Sequence, residues 1–545
     1  MDSTPPIRSS AVEEGNIQIP LWSIPLVLIV LYVCLFSGLG ALGLVGPDEP
    51  RYAAIARAMA ETHDWITPRL WGTPWFEKPV LYYWAAGIAM RVFGVSEFAA
   101  RLPSALGALL AVLAVAWTAL RTYGIGAAWY ALLMLPTSVA MIAFSRAATP
   151  DMLFAGMLTA SMAIAAEMLQ KARPGPILRI AFGFFLGAAV LAKGPAAIIL
   201  AGGATLMWAG LSRQWRAPFR FLNPLVIAAF CVTALPWYVL CALRNPGFLR
   251  DFIWHHNFER YFTPVFEHPQ PFWFFGIILL LAVIPWIWVF CTLLTRIDLK
   301  KDEMDSCGAL IGCWVAFPVF FFSLSQSKLP SYILPAIPLL FVLLGREVAL
   351  SIARGGKRTI WQVGAAGAIF LTVGAAYIKP ALDIGPILRI TDLRGIIAGL
   401  SVCIVGGLSI IALSLLKRPK AALIGVVLVM TVLVEIANVW ILPQTDRLFS
   451  PRELAQLVIS KDSTSADIAE YKLPRTWKYG LNYYFGRELR EWSPGSPQPD
   501  WIVTTPKSAL EIQDGGIQVQ EINPISAPTI MLLHVLRTEG KQSMR

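Results

Sequence analysis

The chain has 545 residues, 56% hydrophobic and only 14% charged, with a mean hydropathy of +0.61. A soluble globular protein carries about 25% charged residues, so a cytosolic enzyme, a disordered chain and a secreted disulfide scaffold are all poor fits. The composition is that of a polytopic α-helical membrane protein, and the net charge of +11 must be read from where the charges lie.

In chain order, segments apolar enough to span a bilayer, or to sit buried beside spans, occur at 21–42, 101–120, 125–143, 152–169, 180–192, 195–211, 222–242, 271–293, 307–324, 332–350, 360–378, 395–416 and 421–442. That makes thirteen. The first is too long for a removed signal peptide and lacks a small-residue cleavage site, so it reads as an anchor. The stretch 79–93 is short and contains Arg91. Counting it as a span would invert every later loop, so it reads as an interfacial helix.

With this count the loops fall into two charge classes. Basic clusters such as Arg213, Arg216 and Arg220, or Lys417, Arg418 and Lys420, all fall on one side, which the positive-inside rule makes cytoplasmic. Much of the positive charge is therefore a topology label, and no nucleic-acid partner is expected. The seven cysteines lie in or beside apolar stretches without CxxC or metal spacing, and read as small core residues.

Residues 1–442 are thus expected to form the transmembrane domain, with outer loops at 43–100 and 243–270. The odd span count puts residues 443–545 on the far side from the basic loops. That tail is charged and punctuated by Pro and Gly, with candidate strands at 466–471, 500–504 and 529–536. It reads as a soluble α/β domain.

Polar residues cluster in the outer loops, where they are costly enough to be informative. In the first loop, Asp48 and Glu49 precede Pro50 and a helical pattern. Helix capping and dipole compensation explain them locally, and a capping carboxylate at a membrane surface can also face a substrate. Glu77 and Lys78 read either as a surface ion pair or as a phosphate-binding cation fixed by a carboxylate. Asp151 opens another apolar helix. Lys193 stands at a Gly-Pro break, where it either snorkels or meets a lipid phosphate. The loop 243–270 holds His255, His256 and Arg260, but adjacent histidines signal a metal only weakly. Lys328 and Tyr332 sit at a Pro-rich helix start.

Together these place acids, cations and aromatics on one membrane face. Cations beside an aromatic groove suit a phosphate whose lipid tail stays in the bilayer. Nearby carboxylates suit a reaction that develops positive charge, as glycosyl transfer does. No Gly-rich nucleotide cradle occurs, which favours a lipid-linked donor. A transporter is the alternative of another class. Transporters place charges near the midplane in broken helices, whereas these acids lie in loops at one face.

The blocks PDEPRYAAIARAM, DWITPRLWGTPWFEKPVLYYW, GVSEFAARLPSALGAL, LAKGPAAIIL, PFWFF and FFSLSQSKLPSYILPAIP resemble the lipid A aminoarabinose transferase family. These are bacterial inner-membrane GT-C glycosyltransferases related to protein O-mannosyltransferases. The resemblance implies thirteen spans with an outer C-terminal domain, a periplasm-facing site, an undecaprenyl-phosphate-linked 4-amino-4-deoxy-L-arabinose donor and a lipid A phosphate acceptor. It also implies inversion at the anomeric carbon and a monomer among membrane lipids.

By motif, Asp48 and Asp151 match the family's catalytic acids. Arg51, Tyr52, Lys78, Lys193, Arg260, Lys328 and Tyr332 match residues around the carrier phosphate. Glu77 with His255 or His256 matches a possible site for a divalent cation, zinc or magnesium. Broader relatives use other polyprenyl-phosphate sugars, such as galacturonic acid or hexoses, and protein O-mannosylation is the runner-up for the acceptor.

Overall fold

The computed structural model describes residues 22–259, 269–295, 306–376, 378, 393–461, 467–521 and 530–536. Helix α1 (Ser23–Leu31) runs into a π-helical turn at Tyr32–Phe36. The segment expected to form the first outer loop then folds into α2 (Asp48–Thr62), a hairpin of two-residue strands β1 (Arg69–Leu70) and β2 (Thr73–Pro74), and α3 (Leu81–Phe93). The bundle continues through α4 (Glu97–Tyr123), α5 (Ile125–Met134), α6 (Val139–Ser145), α7 (Pro150–Gln170), α8 (Pro176–Lys193), α9 (Ala196–Leu211) and α10 (Pro224–Arg244).

Among the described residues eight helices are long and apolar enough to cross a membrane. The count is nine if α5 and α6, bent by 60° at their break, make one span. The sequence reading counts thirteen. The other segments it names fall on shorter apolar helices: Ser23–Phe36, Ala196–Leu211, Cys307–Ser323, and the successive pair Phe274–Ala282 and Ile287–Leu294. The protein thus contains an integral-membrane helical bundle.

Local sequence explains the boundaries that matter for the site. Helix α4 begins where Ser96 Oγ accepts a hydrogen bond from Ala99 N at 3.3 Å, satisfying one of the first-turn amides. Helix α7 opens with Pro150, whose missing N–H would have had no helical partner there. It is the hub of the bundle, with 94% of its most apolar window buried against 17% for Arg394–Leu415. Helix α2 ends at His63 in the left-handed region, φ 61°.

Helix α3 buries Tyr82, Tyr83, Ala86 and Met90 and leaves the apolar Ile88, Val92 and Phe93 exposed. That pattern suits a helix lying against lipid.

The apolar interior falls into separate clusters. The largest joins the long helices. A second lies under the first outer loop and combines Tyr52, Tyr82, Tyr83, Ala148, Leu153, Trp237, Phe248 and Phe252 with Tyr483 from the chain's last hundred residues. Those last residues carry a five-stranded sheet of order β4-β3-β5-β7-β6, made of β3 (Ile468–Tyr471), β4 (Arg490–Glu491), β5 (Trp501–Thr504), β6 (Val519–Glu521) and β7 (Met531–Val535).

Strand β3 lies parallel to β4 and β5, while β7 runs antiparallel to β5 and β6. The period-two alternation of a strand sends Ile468, Trp501 and Val503 to one apolar cluster and Ala469, Ile502 and Leu533 to another, so helices can cover both faces.

This sheet unit is tied to the first outer loop. Tyr484 Oη accepts from Leu44 N at 2.9 Å and donates to Glu97 Oε1 at 2.8 Å. Arg452 pairs with Asp446 at 2.7 Å and Glu97 at 3.4 Å, and Gly43 N donates to Asp446 Oδ1 at 2.6 Å.

Candidate active site

Two adjacent acids at the start of α2 point to different places. The helix begins at Asp48 itself, with Pro47 in the capping position, so neither acid is the side-chain cap that local sequence suggests. The Asp48 side chain is 53% exposed and pairs with Arg51 Nη2 at 2.5 Å, one turn along the helix. Glu49 turns inward. Its carboxylate takes two hydrogen bonds from Arg101, one from Val45 N at 2.8 Å and one from Ala148 N at 2.6 Å.

Arg101 in turn donates to the carbonyls of Leu39, Leu42 and Gly43. A buried ion pair is tolerated when its remaining donors and lone pairs are used in this way. Its consequence is geometric. Ala148 precedes Asp151 by three residues, so one carboxylate fixes the start of α2 relative to the start of α7. Ser104 Oγ reinforces the same junction by donating to the carbonyls of Ala147 and Thr149.

Behind the exposed Asp48 lies a chain of alternating charge. Arg51 Nη2 meets Glu77 Oε2 at 3.0 Å, and Glu77 Oε1 meets Lys78 Nζ at 3.2 Å. The hairpin and the short segment before α3 bring Glu77 and Lys78 to α2, a contact separated by some twenty-five residues of sequence. The Arg51 guanidinium stands 5.1 Å from the Tyr52 ring centroid and 5.7 Å from that of Trp75.

Burial acts to lower the Arg51 pKa, but the neighbouring Tyr52, Glu77 and Asp48 outweigh it and raise it, so Arg51 stays a cation. Burial pushes the Tyr52 and Tyr83 phenols well above their usual range, which keeps both neutral. Three buried polar atoms here, Arg51 Nε, Trp75 Nε1 and Tyr83 Oη, have no hydrogen-bond partner among the described residues. Such orphaned groups are costly in a finished interior and fit a place where a ligand supplies the acceptors. Sequence reasoning missed Trp75 and Tyr83, although both lie inside the aromatic run it singled out.

The second group gathers at the ends of α7 and α8. Thr149, and not Asp151, occupies the cap of α7. Asp151 instead receives a hydrogen bond from Lys193 Nζ, whose ammonium also stands 5.6 Å from the Phe154 ring and 5.4 Å from the Tyr332 ring. Lys193 is thus held inside by a carboxylate and two aromatic faces and does not snorkel to solvent. Tyr332 comes from the 3-10 turn Pro330–Ala336.

Lys328, just before that turn, is nearly buried. Its Nζ donates to Ser325 O at 2.6 Å, and no carboxylate pairs with it among the described residues.

Arg260 lies outside the described residues. His255 and His256 fall in the helical stretch Arg250–Glu259, but their side chains also lie outside the described set. Both Glu77 carboxylate oxygens face cations, Arg51 and Lys78. Among the described residues no three acids, histidines or cysteines come together.

The geometry therefore offers an exposed carboxylate beside a half-buried chain of alternating charge, with two further lysines on other segments. A family model described as dolichyl-phosphate-mannose-protein mannosyltransferase matches residues 21–250. The fold is similar to that of a solved ArnT structure. It superposes on the crystal structure of ArnT from Cupriavidus metallidurans bound to undecaprenyl phosphate with a TM-score of 0.76, over 94% of this chain and 98% of that one, at 23% identity.

In sequence the chain is similar to the undecaprenyl phosphate-alpha-4-amino-4-deoxy-L-arabinose arabinosyl transferase of Edwardsiella ictaluri (strain 93-146), 32% identical over 57% of this chain and 56% of that protein. It is similarly related to arabinosyl transferase 2 of Pseudomonas fluorescens (strain Pf0-1), 30% identical over 60% of each. The matched region spans little more than half the length of these curated relatives.

Proposed function

We propose that the protein is an inverting glycosyltransferase that moves 4-amino-4-deoxy-L-arabinose from an undecaprenyl-phosphate carrier to a phosphate of lipid A. It acts at the periplasmic face of a bacterial inner membrane, as a monomer of thirteen spans with an outer α/β domain from residue 443. The observation that carries this reading is the exposed Asp48 beside the half-buried Arg51, Glu77 and Lys78, on a chain whose sequence relatives are named arabinosyl transferases.

In this mechanism Lys78, Lys193, Lys328 and Arg260 are the cations that serve the phosphate of the carrier's phosphodiester. The C1–O bond to the carrier phosphate breaks as the acceptor oxygen forms its bond on the opposite face. Negative charge grows on the departing phosphate, where prepositioned cations stabilise it more than they stabilise the intact diester. Lys328 is suited to this role because it is a nearly buried cation that pairs with no carboxylate among the described residues.

A lipid A phosphate is already ionised near neutral pH, its second pKa being about 6. Asp48 therefore orients the acceptor and stabilises positive charge at the sugar, and need not remove a proton. Asp151 holds Lys193 in place. No step requires a metal.

The family-model match favours one second reading, transfer of a hexose to protein hydroxyls. There Asp48 would act as general base. Mass spectrometry of lipid A from cells with and without the protein separates the two. Loss of a pentosamine adduct supports the first reading. Unchanged lipid A with altered glycoproteins overturns it in favour of the second.

A further inference from the structure

The same helix that presents Asp48 also forms one wall of a second recess. Between α2, the turn of the β1–β2 hairpin and the helix Arg475–Phe485 lies an open cavity of about 340 Å³, within the size range of small-ligand sites. Small residues leave the room: Ala58 on α2, Gly72 in the hairpin turn and Gly486 beyond the tail helix. Gly486 has φ +69°, and a Cβ there would stand 2.8 Å from Arg57 Nη2. The glycine is what lets the Arg57 guanidinium occupy this wall.

The lining is charge-balanced. Arg57 Nε donates to Glu61 Oε1 at 2.6 Å and its Nη1 to Tyr483 O at 3.1 Å, while Arg487 and Glu488 contribute one further charge of each sign. Trp71 adds an indole, held by a backbone in the left-handed region at φ 51°, a conformation a bulky residue adopts at a cost. Two nearly inaccessible polar atoms in this wall, Trp71 Nε1 and Tyr483 Oη, lack a hydrogen-bond partner among the described residues.

A phosphate would call for net positive charge, which this recess does not have. Paired guanidinium and carboxylate groups beside an aromatic ring instead suit vicinal hydroxyls and the apolar face of a sugar. Arg57 lies nine residues beyond Asp48, about 14 Å along a helix rising 1.5 Å per residue. That is the span of a short oligosaccharide.

We propose that this recess is an acceptor-saccharide subsite, which seats a sugar ring of the acceptor while another part of the same molecule meets Asp48. It deepens, and rests on, the glycosyltransferase reading, and it gives the C-terminal unit a direct part in acceptor recognition.

The test is binding of a soluble probe, the deacylated glucosamine disaccharide of lipid A, to the purified full chain in detergent, followed by saturation-transfer NMR. Ala58→Phe fills the recess, and Glu61→Gln removes one acceptor while keeping shape. The expected result is wild-type binding that weakens at least tenfold in both variants, with undecaprenyl-phosphate binding and thermal midpoint unchanged. In transfer assays the KM for acceptor should rise while kcat at saturation holds.

Equal disaccharide binding by wild type and Ala58→Phe, or no binding by either, overturns the subsite. The two readings fail separately: a wild-type chain that binds the disaccharide but never consumes the lipid-linked sugar sinks the enzymatic reading, whereas intact transfer without disaccharide binding sinks only the subsite.

Discussion

Arg101 and Glu49 meet inside the protein through two hydrogen bonds, Nη2 to Oε2 at 2.8 Å and Nε to Oε1 at 3.1 Å. The pair locks the outer loop to α4 and α7. Removing one partner leaves the other charge buried and unpaired, which costs about 3–5 kcal/mol. Arg101→Met should therefore lower thermal stability sharply. Glu49→Leu combined with Arg101→Met should cost less than the sum of the single changes, because the two side chains share one interaction. A double-mutant cycle on detergent-solubilised protein measures this, and strict additivity would contradict it.

Asp48→Asn keeps the shape and the contact with Arg51 but removes the exposed negative charge. Transfer should fall by about 100-fold or more, the scale on which single catalytic groups act. Folding and undecaprenyl-phosphate binding should stay intact. Lipid A mass spectrometry with a parallel lipid-binding assay is the check, and retained pentosamine transfer would remove Asp48 from the mechanism.

Lys193→Met removes the ammonium between Asp151, Phe154 and Tyr332. A charge-assisted hydrogen bond contributes roughly 1.5–3 kcal/mol, so undecaprenyl-phosphate affinity should weaken about tenfold or more. Titration with the carrier lipid reads this directly. Unchanged affinity would make the Asp151–Lys193 pair purely structural.

Helices α4 and α7 touch backbone to backbone. A Cβ added at Gly156 would stand 2.2 Å from Gly107 O, with the Gly107 carbonyl carbon at 2.9 Å. Small residues permit this approach in the absence of a hydrophobic drive between helices in lipid. Gly156→Ala should destabilise the bundle by roughly 1–3 kcal/mol, the usual cost of overpacking. Gly202→Ala, where a Cβ meets nothing within 4 Å, serves as the control. Equal melting of the two variants would refute the close-contact account.

In the tail, the hydrogen bond from Lys472 Nζ at 2.6 Å holds the Glu511 carboxyl below its ordinary pKa and raises that of Lys472. A depressed carboxyl stabilises the fold above its unfolded pKa, and that contribution disappears as pH falls through the lowered value. Glu511→Gln should thus lower the melting temperature slightly at pH 7 and have no effect in strong acid. Melts at both pH values decide it; an equal loss at each would show that the pair is not the cause.

Much of the site was legible because membrane insertion makes each polar residue costly. Asp48, Glu77, Lys78, Asp151 and Lys193 stand out in the sequence against apolar surroundings. What sequence could not separate was Asp48 from Glu49. Both begin the same helix and both fit a local capping role, yet one is exposed and the other is clamped by a residue fifty-two positions away. The short strands β4 and β6 were equally hidden, since two or three residues carry no periodic signal.

The sequence by itself determined the membrane class, the approximate position of the apolar helices and the segments in which polar residues cluster. These follow from local hydropathy and from the placement of charge, which need no long-range contact to be read. Only the tertiary structure decided which acid faces outward, that Lys193 is held by Asp151 and two rings, and that the tail closes a recess against α2. Those outcomes depend on pairings between residues far apart in the chain, set by how helices pack and by the requirement that every buried charge find a partner.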